Sequence, residues 1–237
     1  MLANPLHFGL TIAQPTIFTL SKRCFVSSVK PCTFKELDMT TVELPTLRSQ
    51  RLNALTHAPH ERLDHAVKAR EPFSSRERFA RFVVAQYLFQ SELQALYQDA
   101  ELAKIFPDLP QRCRAEQARL DLADLDTDVP APVAGAICNP TLAHALGWLF
   151  VSEGSKLGAA FLIKRVAALG LDETTGARHL GEPAGGRAEG WKRFTRTLDA
   201  LELSEAQERE AEAGAIAAFE RFAHLLQHSY DSAPASV

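Results

Sequence analysis

The chain has 237 residues, 46% hydrophobic and 23% charged, which is enough for one compact domain with a sizeable core. Its formal net charge of -3 excludes a broad basic footprint for nucleic acid. From residue 43 onward Ala, Leu, Glu, Arg and Gln dominate and β-branched alternation is scarce, so the expected class is all-α.

Residues 1–38 have no helical period and are nearly free of acid until Glu36. They lack the cationic start and continuous apolar run of a secretory signal. They read as a disordered leader or an extension of the reading frame, with translation beginning at Met39. An organelle transit peptide is the competing reading, from Lys22, Arg23, Lys30 and the serines. A single helical domain is expected over 39–230, with a disordered tail at 231–237.

The segment 47–73 carries His57, His60 and His65. On a helix His60 shares a face with Leu63 and Val67, whereas His57 and His65 turn toward solvent. An apolar-face histidine is either a satisfied core residue or a ligand. Lys68 lies on the same stretch, one turn beyond Leu63, either simply solvated or placed to meet an anionic ligand.

Ser74 with Glu77 forms an S-x-x-E capping box and opens a helix through about Tyr97. Phe79, Phe82, Val83, Leu93 and Leu96 fall on its core side. Pro107 and Pro110 interrupt, and a charged helix follows over 111–124. The stretch from Asp126 to Pro140 carries Pro130, Pro132 and Gly135 and reads as a loop.

Asn139 as N-cap, Pro140 at the first position and Gly170 as stop define a helix of about 30 residues, ~45 Å long. Its apolar run 142–163 contains His144, Glu153 and Lys156, so it reads as a core helix rather than a membrane span. A turn-rich loop at 181–190 precedes a helix over 187–201, and Ser204 with Gln207 caps a last helix to Tyr230.

Within the long helix, GWLFVSEGSKLGAAFL places Gly147, Gly154 and Gly158 in the interior, each costing about 1 kcal/mol relative to alanine. At ~100° per residue Gly154 and Gly158 each fall within ~20° of Gly147, on one bare stripe that ends at Arg165. Phe150, Leu157 and Phe161 flank it, and Lys156 is expected to point the opposite way, into solvent. Such a stripe permits close helix packing or a bend. It equally permits a flat ligand to lie against the backbone, edged by Phe and closed by a cation.

Of the other histidines, His7 lies in the leader, and His144, His179, His224 and His228 read as surface or helix-end residues. Four cysteines form no CxxC pair, which argues against zinc and c-type haem and fits a reducing, cytoplasmic setting. No G-x-G-x-x-G follows a strand, so no dinucleotide site is expected.

Four blocks carry a resemblance: LRSQRLNALTHAPHERL, EPFSSRERFARFVVAQYLFQ, LGWLFVSEGSKLGAAFL and GARHLGEPAGGRAEGW. Together they make the chain resemble the bacterial haem oxygenases, the iron-starvation type of pseudomonads in particular, from about Leu47 to about Phe222. The resemblance implies a helical bundle with haem b between a proximal and a distal helix. It implies His60 of the T-x-x-P-H block as proximal iron ligand, and Gly154 and Gly158 as the distal wall. Phe150 matches a residue bordering the haem, and Asn53 and Lys68 match positions on the propionate side. Arg165 stands where the pseudomonad enzyme has a lysine, and an arginine is a planar fork rather than a point charge. Arg114 and Arg187 match arginines that could anchor ordered water.

The implied activity is oxygenation of haem to biliverdin, CO and ferrous iron. O₂ and electrons from a separate ferredoxin or reductase would be needed, with iron acquisition or biliverdin supply to an acceptor as the role. A monomer is expected. The same His60 and slot also fit a non-catalytic haem carrier or store. Another helical enzyme of the thiaminase or quinone-cofactor oxidase type, or an interaction protein with the stripe as a packing seam, are further readings of the pattern.

Overall fold

The computed structural model describes residues 47–134 and 137–232. The leader, the start at Met39 and all but the first residues of the expected tail lie outside the described residues. Eight α-helices account for most of the described chain: α1 Arg48–Leu55, α2 His57–Ala69, α3 Arg76–Tyr97, α4 Ala100–Ile105, α5 Ala115–Asp124, α6 Leu142–Val166, α7 Arg187–Ala200 and α8 Glu205–Asp231. Short 3₁₀ turns lie at Leu109–Arg112, Ala167–Leu169 and Arg178–Leu180. Among the described residues there is no strand, only an isolated bridge between Asp172 and Gly176. The all-α expectation holds.

The helix ends follow local chemistry, with some differences from expectation. Thr56 separates α1 from α2; it is buried, and its hydroxyl donates to the Leu52 carbonyl at 2.7 Å. Pro59 then sits in the first turn of α2, where its missing N–H costs nothing. Ser75, not Ser74, caps α3 by accepting from the Arg78 N–H. Ser74 is instead used in the preceding turn, donating to the Glu71 carbonyl at 2.8 Å.

The expected helix over 111–124 is split. The Arg114 N–H donates to the Gln90 side-chain oxygen at 3.1 Å, which ends the 3₁₀ turn and lets α5 begin at Ala115. Thr141 caps α6 by accepting from His144, because Asn139 occupies a left-handed turn conformation at φ 44°. Gly170 closes the run at φ 69°, as its lack of a Cβ allows, but the last turn before it is 3₁₀. The α8 capping box of Ser204 and Gln207 is complete in both directions.

The core is built where α6 and α8 cross. A methyl group added at Gly147 would lie 2.0 Å from the Ala211 carbonyl oxygen, and one added at Gly214 would lie 2.1 Å from the His144 carbonyl oxygen. The two backbones therefore touch, with Ala143, Ala211, Ala215 and Ala218 buried along the seam. α3 packs on α5 and α8, and its Phe79, Phe82, Val83, Leu93 and Leu96 are all buried, as the spacing predicts.

α1 is tied down by Arg48, which is buried and donates to Glu208 and to the carbonyls of Leu198 and Leu201. α2 has no buried residue and rests on α8 through Leu63, Ala66 and Val67. The run Leu142–Leu169 is long and apolar enough to cross a membrane, yet half of it is buried inside the bundle. Its Ser152 and Glu153 are both buried and hydrogen-bonded there, as befits a core helix.

Candidate active site

α8 supports two helices, α2 and α6, that do not pack closely on each other. His60 and the glycines thus sit on two helices that share α8 as a support. His60 is exposed. Its ring meets Phe219 of α8 edge-on, with centroids 5.9 Å apart, and its nitrogens have no hydrogen-bond partner among the described residues. The expected apolar neighbour is thus an aromatic edge on α8, with the lone-pair side of the imidazole left available. His57 and His65 are exposed, as expected.

The glycine stripe is not one surface but three. Gly147 belongs to the α8 seam. Gly154 lies beneath Trp191 of α7, whose ring would be 3.5 Å from an added methyl group. Gly158 faces open space among the described residues, with nothing within 4 Å of an added methyl. Beyond it on the same face Phe161 is exposed, and the Arg165 guanidinium lies 4.2 Å from the Phe73 ring centroid. The open part of the stripe runs from Gly158 to Arg165.

Phe150 is buried against Trp191 at a centroid distance of 5.2 Å, so it supports Gly154 from the side. Trp191 is a site residue that the helical wheel could not reveal, because it comes from a different helix. Asn53 on α1 is exposed, and Lys68 is exposed and paired with Asp64 at 2.5 Å on the same helix.

Gly158→Ala separates packing from function. Nothing obstructs the methyl, so apo stability should rise by up to about 1 kcal/mol from helix propensity. Any ligand lying against the open face should be bound and released more slowly, because the methyl occupies it. Thermal unfolding of the apo protein and ligand-binding kinetics check both halves.

Behind the stripe lies a polar cluster. Lys156 does not point into solvent: its side chain is 15% exposed, pairs with Glu153, donates to the Arg112 carbonyl at 2.8 Å and lies over the Tyr97 ring. The wheel misplaced it because α6 is covered on that side by α3 and the 109–112 turn. Glu153 also accepts from Tyr97 and from Arg112, each at 2.8 Å. Burial, reinforced by the Glu153 charge, pushes the Tyr97 phenol well above its ordinary range. Burial pulls the Lys156 ammonium down, against the opposing pull of Glu153.

His179 is not a surface residue. It is buried, with Nδ1 2.7 Å from Asp121, and it stacks on Phe79. Its turn is held from the other side too: Arg114 donates to the Gly181 carbonyl at 3.2 Å and Arg187 to the Leu180 carbonyl at 2.5 Å. Burial lowers the Arg114 pKa. Both arginines therefore have structural partners.

Among the described residues no group of three or more His, Cys, Asp or Glu could hold a bare metal ion. A single available imidazole suits a metal whose remaining ligands arrive with it, as in haem. Two surface hollows, of about 450 and 540 Å³, lie elsewhere: one at the start of α6, one between α3 and the end of α8.

An all-helical bundle with an exposed histidine on α2 and an open glycine on α6 fits a haem-binding class of fold. The chain belongs to the haem oxygenase family, whose description, Heme oxygenase, matches residues 47–228. It is 58% identical over 185 residues to heme oxygenase PigA of Pseudomonas aeruginosa, covering 78% of this chain and 93% of that protein. The NO- and CO-bound heme oxygenase of Neisseria meningitidis superposes with a TM-score of 0.74 at 35% identity, over 80% of this chain and 95% of that one. Heme oxygenase 2 of Chlamydomonas reinhardtii, without heme, shares the fold at 16% identity and a TM-score of 0.61, over 77% and 97% of the two chains.

Proposed function

We propose that this protein cleaves haem, with O₂ and electrons, to biliverdin, CO and ferrous iron. The observation that supports this reading best is the pairing of an exposed, unbonded His60 on α2 with the unobstructed backbone at Gly158 on α6. Bound haem supplies the iron that activates O₂ and the meso carbon that is oxygenated. His60 offers a nitrogen lone pair to that iron. Gly158 would bring bare backbone to the haem and place no acidic side chain there, with Gly154 beside it under Trp191. Trp191 and Phe150 hold Gly154 in place. Arg165, positioned over Phe73, and the exposed Lys68 and Asn53 would receive the propionates. Arg114 and Arg187 hold the 178–181 turn and leave donors for ordered water near the distal side.

The electrons come from a separate ferredoxin or flavoprotein reductase, and biliverdin passes to an acceptor or leaves as waste of iron acquisition. We place the protein in the cytoplasm as a monomer. Hemin added to pure protein should give a histidine-type Soret band. Ascorbate or reduced ferredoxin in air should then replace that band with a biliverdin spectrum. A Soret band that persists under reductant and O₂ would select a haem carrier instead, and no hemin binding would remove both.

A further inference from the structure

One buried carboxylate organises more of the site than its own helix turn. Glu153 stands next to Gly154 and its side chain is 3% exposed. It ends a chain of hydrogen bonds whose direction can be assigned throughout. Tyr97 has one proton and donates it to Glu153 Oε1 at 2.8 Å. Its oxygen must then accept from Ser152 Oγ, 2.7 Å away. With that proton committed, Ser152 accepts from Gln90 Nε2 at 3.0 Å. The Gln90 amide is thereby oriented, and its oxygen faces the Arg114 N–H at 3.1 Å. Reversing the amide would set N–H against N–H. Arg112 and Lys156 hold the two Glu153 oxygens from the other side.

We propose that Glu153 is a positioning residue for the haem site, fixing Gly154 directly and the backbone of Arg114 through Tyr97, Ser152 and Gln90. Aligned donors strengthen one another in a dry interior, so the chain acts as one unit. It spans α6, α3 and the start of α5, which carry Gly154, Gln90 and Arg114. This inference rests on the haem oxygenase reading. It assigns to Glu153 the relative placement of the distal wall and the Arg114 segment, and hence which meso carbon lies in reach.

Three variants test it: Tyr97→Phe and Ser152→Ala, which cut the chain while keeping the Glu153 charge and its cations, and Glu153→Gln, which removes the charge. Each is loaded with hemin to equal occupancy. The readouts are the Soret maximum across a pH titration and the biliverdin isomer ratio by chromatography. We expect a shifted Soret titration and an altered isomer ratio in all three, with turnover reduced by about 10-fold. A purely structural role would lower protein yield or thermal stability and leave both readouts at the wild-type pattern. That pattern in Tyr97→Phe and Ser152→Ala overturns the proposal even if Glu153→Gln does not fold. Wild-type protein that binds hemin but forms no biliverdin overturns the enzymatic reading instead, and the Soret titration then decides the positioning role alone.

Discussion

His60→Ala should keep the fold and lose normal turnover by more than about 100-fold. Removing an outer-shell partner of a metal ligand already costs roughly 10–100-fold, and the ligand itself should cost more. The fold should tolerate the change because His60 is exposed, α2 contains no buried residue, and among the described residues the ring's aromatic contact is an edge-on one with Phe219. Apo thermal unfolding should stay near wild type, since substitutions at such sites usually fall within about 0.5 kcal/mol. The hemin complex should lose its histidine-type Soret band. Wild-type turnover in this variant would refute the ligand assignment. A collapsed fold would show that α2 is held by more than its contacts indicate.

Gly147→Ala should do the opposite: destroy stability while leaving the chemistry untouched in whatever protein folds. Its methyl would sit 2.0 Å from the Ala211 oxygen, 2.5 Å from the Ala215 nitrogen and 2.9 Å from the Gly214 carbonyl carbon. All three are backbone atoms, so no rotamer change relieves the clash, and α6 and α8 must separate. Overpacking of a core costs about 1–3 kcal/mol where side chains can yield. With backbone on both sides the loss should exceed about 3 kcal/mol, enough to unfold a marginal domain at growth temperature. Urea unfolding monitored by circular dichroism checks it. A midpoint near wild type would mean the seam is looser than drawn. The pair Gly147→Ala and Gly158→Ala thus divides one sequence stripe into a packing residue and a site residue.

That division shows what could and could not be read from the chain. Helical class, the capping of α8 and the core side of α3 follow from local rules, so composition, Ser204 with Gln207, and the Phe79–Leu96 spacing were sufficient. The four sequence blocks pointed to the haem oxygenase family, and the family match agrees. A wheel, however, ranks residues by angle on a single helix and cannot say which neighbour covers which angle. It therefore grouped Gly147 with Gly158 and sent Lys156 to solvent, although α8 covers the first and the 109–112 turn receives the last. His179 was misread for the same reason: Asp121, its partner, is 58 residues away in the chain. Asn139 and Ser74 were sensible caps by residue type, but Thr141 and Ser75 stand where the first free N–H groups are.

The long helix α6 resembles a beam supported at both ends. Near its start the backbone is seated on α8 through Gly147, and Glu153 anchors it to α3 and the 109–112 turn. At its far end Val166 is buried, and Arg76 of α3 holds the Leu169 and Gly170 carbonyls. Between these supports Gly158 meets nothing within 4 Å of an added methyl among the described residues. A beam held at both ends resists swinging as a whole, so any adjustment falls to its mid-span. Mid-span residues can then drift in evolution to retune which part of a guest is presented, at little risk to folding, while the residues at the supports cannot.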